Sequence, residues 1–136
     1  MLIVDTGPIV ALLNRRDPDH GRCAKLLESH VGELLLTPYV LTEACYLLAT
    51  RVSPDAESNL VEAVAAGEFV QTQADEADLL RTAELMRRYR GFPLGVADAS
   101  VVALAERHRV ECIATLDQRH FRAITPVHTA AFTLLP

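Results

Sequence analysis

Four short apolar runs punctuate the chain, and a helical pattern follows each of the first three. "LIVD" (2–5), "ELLLTP" (33–38), "EFVQT" (68–72) and "ECIATL" (111–116) are compact enough to be strands. The unbroken aliphatic character of the first is that of a strand covered on both faces. Pro38 limits the second. "FTLLP" (132–136) reads as a final edge strand.

The intervening segments repeat their apolar residues at helical spacing. After Asp5, Ile9, Leu12 and Leu13 share one side of a helix with Pro8 in its first turn, and Asp5 or Thr6 can cap it. "RRDPD" (15–19) breaks that helix, and Asp19 can cap the next, "HGRCAKLLESH". "YVLTEACYLLATR" (39–51) is strongly apolar, and Ser53 caps "PDAESNLVEAVAAG". "DEADLLRTAELMRRYRG" (75–91) puts acids first and Arg87, Arg88 and Arg90 last, matching the helix dipole. "VADASVVALAERHR" (96–109) is a further helix, whereas "FRAITPVHTAAF" reads as irregular. Strands alternating with helices predict an α/β sandwich built on a mostly parallel sheet. With 136 residues, residues 1–136 form a single expected domain.

Composition narrows this little. Half the residues are hydrophobic and 23% are charged, as in a soluble globular protein. No apolar stretch approaches the ~20 residues of a membrane helix. Asp5, Gly7 and Pro8 interrupt the apolar start and no basic region precedes it, which argues against a secretory leader. Cys23, Cys45 and Cys112 are an odd number at wide spacings and read as small hydrophobes in a reducing cytoplasm. The histidines and cysteines lack the paired spacing of a structural zinc site. A net charge of −5 argues against a general nucleic-acid binder, yet every basic residue except Lys25 is Arg, the better phosphate ligand.

Most acids decorate polar helix faces; four do not. Asp5 and Asp117 follow apolar strands, where each can cap a helix or turn. Glu43 has Tyr39, Val40, Tyr46, Leu47 and Thr50 as helical neighbours, a face expected to point toward protein, where an unpaired carboxylate costs several kcal/mol. An arginine partner is the alternative use for it. Asp98 lies in a first helical turn, where capping again competes. Thr115 shares a strand side with Asp117 and can bond it.

In a parallel α/β sheet, functional groups gather beyond the C-terminal strand ends where strand order reverses. If the first and fourth strands are neighbours, Asp5 and Asp117 stand roughly 5 Å apart, and the helices carrying Glu43 and Asp98 start at that same edge. One carboxylate pair at 4 Å repels by about 4 kcal/mol at an effective dielectric of 20, so protons or a cation must neutralise the group. Oxygen-only ligands favour Mg²⁺ or Mn²⁺, and such an ion activates water at a phosphoryl group.

These motifs resemble the PIN-domain ribonucleases, specifically the VapC-type toxins of bacterial toxin–antitoxin pairs. Asp5 in "IVDTGPIVALL", Glu43 in "PYVLTEACYLL", Asp98 in "GVADASVVALA" and Asp117 in "TLDQRHF" match the family's four acids in order. Thr6 and Thr115 match its supporting hydroxyl residues. "TGP" stands where many members have a Ser-rich stretch. The resemblance implies a PIN-like three-layer sandwich with sheet order 3-2-1-4-5. It implies Mg²⁺- or Mn²⁺-dependent hydrolysis of RNA, tRNA or rRNA in particular, with the four acids as metal ligands and catalytic residues. It further implies a cytoplasmic homodimer inhibited by a cognate antitoxin.

Arg119 and His120 are candidate RNA contacts, with a solvated turn as the alternative. A non-catalytic PIN-like RNA- or protein-binding module is the rival reading. Haloacid-dehalogenase-type phosphatases and receiver domains fit poorly, since residue 7 is Gly rather than Asp and no Lys follows Lys25. Apolar Val40, Leu41, Leu47 and Leu48, with Leu60, Val61 and Val64 on the next helix, predict either a protein-binding surface or packing of the two helices on each other.

Overall fold

A computed structural model describes all residues, 1–136. It contains strands β1 (Leu2–Val4), β2 (Leu34–Leu36), β3 (Val70–Gln71), β4 (Cys112–Ala114) and β5 (Thr133–Leu135). The helices are α1 (Thr6–Leu13), α2 (His20–Ser29), α3 (Pro38–Arg51), α4 (Pro54–Ala65), α5 (Glu76–Arg88), α6 (Val96–His108) and α7 (Gln118–Ala123).

All five strands pair in parallel in the order β3-β2-β1-β4-β5, flanked by the helices. The chain steps outward from β1 to β3, then crosses back to set β4 against the free side of β1. That reversal opens a crevice beyond the C-terminal ends of β1 and β4. Ile3 pairs with Ile113 and Val4 with Ala114, so the residues after Val4 and Ala114 emerge together.

The central strand is sealed on both faces, with Leu2, Ile3 and Val4 fully buried. In α6 every residue from Ala99 to Ala105 is buried, and small side chains let its neighbours approach closely. Its apolar composition all round is therefore that of a core helix. α3 buries Val40, Ala44 and Leu48, one stripe at i, i+4 and i+8. It also packs against α4, where Leu60 is fully buried, and leaves Tyr46 in solvent. The two helices do pack on each other, and Val61 stays half exposed.

Two elements differ from expectation. β3 is shorter than "EFVQT" because only Val70 and Gln71 reach β2. Residues Gln118–Ala123 form a helix, begun within the "TLDQRHF" motif and continued into the segment read as irregular. Too short to show periodicity, it is anchored by Phe121, buried to 1% exposure and edge-on to Phe132.

Candidate active site

Asp5 leaves β1 beside β4, its amide donating to the Ala114 carbonyl at 2.9 Å. It occupies the N-cap position of α1 but makes no side-chain capping bond. Instead its Oδ2 accepts the Thr115 hydroxyl at 2.8 Å. Asp117 likewise precedes α7 without capping it through its side chain. Capping therefore accounts for neither acid.

The Thr115 hydroxyl serves both acids differently from the sequence expectation. It donates to Asp5, not to Asp117, and accepts the Asp117 amide at 3.1 Å. The reason is register: Asp5 stands beside Thr115, while Asp117 lies two residues past it and has already left the sheet. Between them Leu116 packs against α1, where a Cβ on Gly7 would come within 3.2 Å of the Leu116 Cβ. Glycine at that position lets α1 sit close to the end of β4.

Glu43 corrects another expectation. Its face of α3 looks outward, with Tyr46 67% exposed, and Glu43 itself is exposed. Tyrosine tolerates solvent through its phenol, so the aromatic neighbours did not signal burial. No arginine pairs with Glu43; the Thr6 hydroxyl donates to its Oε2 at 2.6 Å. The Thr37 hydroxyl caps α3 through the Val40 amide and bonds the Ser100 hydroxyl at 2.8 Å, tying the helix of Glu43 to that of Asp98.

His120 points into the site rather than into solvent. Its Nδ1 lies 2.9 Å from Asp117 Oδ2 and 3.3 Å from Asp98 Oδ2, aligned as a hydrogen bond to neither. The contact is a charge attraction that exists when the ring is protonated. Phe92 holds the ring edge-on, centroids 5.1 Å apart. Arg119 is exposed, with its guanidinium 5.4 Å from the Phe92 ring centroid, and does not border the cleft.

Asp5, Thr6, Glu43, Asp98, Asp117 and His120 line one open cleft of about 740 Å³. Asp17, Asp19 and Arg51 also line it, and sequence reasoning passed over all three. "RRDPD" carried only the signal of a helix breaker; its place at the cleft depends on how α1 packs against α3. Asp19 is paired with Arg22 at 2.6 Å, and Asp17 accepts the Asp19 amide at 2.8 Å.

The electrostatics are those of crowded acids. Burial, with the charge of Asp98 next, raises the Asp5 pKa to about 7, against the opposing hydrogen bonds from Thr6 and Thr115. Burial also raises Asp98, His120 opposes that rise, and Asp117 and Glu43 add to it. Every carboxylate donor is oxygen, the chemistry of a hard cation. No three His, Cys, Asp or Glu side chains already close into a ligand cage. The cleft thus fits an ion that keeps several of its waters, as Mg²⁺ does, better than a dehydrated one.

Residues 2–125 match the model of the PIN domain. The chain belongs to the PIN-domain family. This PIN domain is 36% identical over 135 residues to ribonuclease VapC26 of Mycobacterium tuberculosis, covering 99% of this chain and 100% of that protein. It is thus a homologue of a VapC ribonuclease. Among solved structures it resembles M. tuberculosis VapC20, described as a sarcin-ricin loop cleaving toxin, with a TM-score of 0.78 at 19% identity, covering 83% of this chain and 87% of that one. A toxin–antitoxin complex from Klebsiella pneumoniae aligns with a TM-score of 0.70 at 19% identity, covering 98% and 100% of the two chains. At these identities the structural matches speak for the fold alone. No helix is long and apolar enough to cross a membrane.

Proposed function

We propose that this PIN-domain chain is a metal-dependent endoribonuclease, the toxin of a cytoplasmic toxin–antitoxin pair, acting on structured RNA such as tRNA or rRNA. The observation that carries the reading is the gathering of Asp5, Glu43, Asp98 and Asp117 in one open cleft with no arginine or lysine paired to any of them. A binding scaffold gains nothing from that repulsion. A nuclease uses it to hold a cation.

Asp5 and Asp98, the more enclosed acids, are the principal ligands, with Glu43 and Asp117 completing the set. Bound Mg²⁺ or Mn²⁺ supplies positive charge at the phosphoryl oxygens and lowers the pKa of a water. The chain's own groups prepare that chemistry. Thr115 fixes the Asp5 carboxylate and Thr6 fixes Glu43. The Thr37–Ser100 bond fixes the spacing of the two helices behind them. His120 steadies Asp98 and Asp117 and is the side chain nearest to them that can carry a proton toward RNA. Arg119, which is exposed, is the candidate contact for phosphates farther along the strand.

The protein partner is an antitoxin, and the toxin acts as a homodimer. Support comes from an apolar groove of about 590 Å³ beside the acids, bordered by Tyr39, Tyr46 and Val96 and sharing Glu43 and Asp98 with the cleft. A protein segment there covers exposed aromatic surface, and a basic side chain on it meets the acids. The free thiols of Cys23, Cys45 and Cys112 suit a reducing cytoplasm.

The test is RNA cleavage by purified protein with Mg²⁺ or Mn²⁺, with chelator, and with the small protein encoded beside it. Cleavage should require the metal, disappear in a folded Asp98→Asn variant, and stop at stoichiometric antitoxin. Full cleavage in chelator rejects the metal mechanism. RNA bound without cleavage under any condition favours the non-catalytic module.

A further inference from the structure

An acidic protein with an acidic cleft has to hold a polyanion. The chain's net charge is −5, and the acids expected to bind metal repel phosphate until a cation arrives. Cations for the rest of the strand must come from elsewhere on the surface.

We propose that Arg15, Arg16 and Arg51 form a phosphate-binding subsite for the RNA strand, continuous with the acidic cleft. The proposal rests on the ribonuclease reading and adds where the backbone is held. Arg51, on the last turn of α3, lines the acidic cleft. It also lines a second recess of about 450 Å³, shared with Arg15 and Arg16 from the loop after α1 and with Asn14 and Ser53. The two cavities therefore share Arg51.

All three arginines are exposed, and none has a carboxylate partner or a side-chain hydrogen bond. Arg81 of α5 and Arg107 of α6 behave differently: Arg81 grips Glu106 and Glu84, and Arg107 reaches Asp75 and Asp78. The acids nearest in sequence form no ion pair with the cluster: Asp19 is paired with Arg22, and Asp17 accepts the Asp19 amide. The C-termini of α1 and α3 both end here, and their partial negative charges draw cations. Half-charges at two helix ends leave most of three full positive charges unspent. Planar guanidinium forks match phosphate oxygens in pairs.

The spacing suits a strand. From Glu43 to Arg51 the helix rises eight residues, about 12 Å. Stacked nucleotides advance ~3.4 Å each along a strand. The arginines accordingly engage phosphates three to four nucleotides from the bond being cut, and the cleft between marks the path.

The experiment uses the full chain carrying Asp98→Asn, the variant expected not to cut. Its binding to a labelled 14-nucleotide single-stranded RNA of mixed sequence is followed by anisotropy in Mg²⁺ over a series of salt concentrations. Adding Arg15→Gln, Arg16→Gln and Arg51→Gln should weaken binding at least tenfold at low salt. It should also flatten the log Kd against log salt slope by about 2, three phosphates at ~0.7 each. Arg87→Gln with Arg88→Gln, removing charge from the end of α5, should leave the slope in place. An unchanged slope in the triple variant, or an equal loss in the α5 control, overturns the subsite. If the unsubstituted chain still cleaves RNA in that case, the ribonuclease reading survives it. A chain that neither binds nor cleaves RNA overturns both.

Discussion

Replacing Asp5 by Asn tests the cleft's electrostatics without any substrate. In the folded protein Asp5 keeps its proton to about pH 7, against an ordinary value of 3.8. Between those values the folded state holds a proton that the unfolded chain has released. Stability from this group therefore falls as pH rises through the window and levels off above pH 7. The displacement is worth about 4 kcal/mol across the window. Asn is nearly isosteric and still offers an oxygen to the Thr115 hydroxyl, but it has no charge to bury. In chelator, wild type and Asp5→Asn should be of similar stability at pH 4, and the variant should be more stable by about 4 kcal/mol at pH 8. For a chain of 136 residues this is roughly 3.5 °C of melting temperature per kcal/mol, or about 14 °C. Denaturant melts at five pH values give the difference curve directly, cancelling groups common to both proteins. Excess Mg²⁺ at pH 8 should narrow the gap by stabilising the wild type. Parallel curves from pH 4 to 8 would refute the reasoning, because Asp5 would then ionise as freely folded as unfolded.

Two further substitutions separate site from scaffold. Thr115→Val removes the donor to Asp5 and the acceptor of the Asp117 amide; it should cost about 1–3 kcal/mol in denaturant melts and lower cleavage, and a variant of wild-type stability would show those bonds to be idle. Glu106→Gln breaks the two-pronged grip of Arg81, at 2.8 and 2.9 Å, far from the cleft; it should lower stability by about 1–3 kcal/mol while leaving kcat and KM of RNA cleavage unchanged.

Periodicity in the chain was sufficient to specify the strand–helix alternation, because continuous aliphatic runs and helical stripes each have one low-energy way to bury themselves. Three of the four acids stood out for the same reason: Asp5 and Asp117 end apolar runs, and Asp98 opens an apolar helix. Quite different was the burial of Glu43, which local composition misjudged. Tyr39 and Tyr46 looked like core neighbours, but phenols accept either environment, and only the packing of α3 on α1, α4 and α6 decided which face was left outside. The Thr115 bond to Asp5 depended on β1 and β4 being in register, a pairing across 110 positions of chain that no local pattern encodes. His120 could not be told from a turn residue, because only the burial of Phe121 in the core sets it beside Asp98 and Asp117. Arg15, Arg16 and Arg51 became a cluster only because α1 lies against α3. Burial preferences are written residue by residue and can be read along a line; electrostatic neighbourhoods are sums over distance, and distance exists only once the chain has folded.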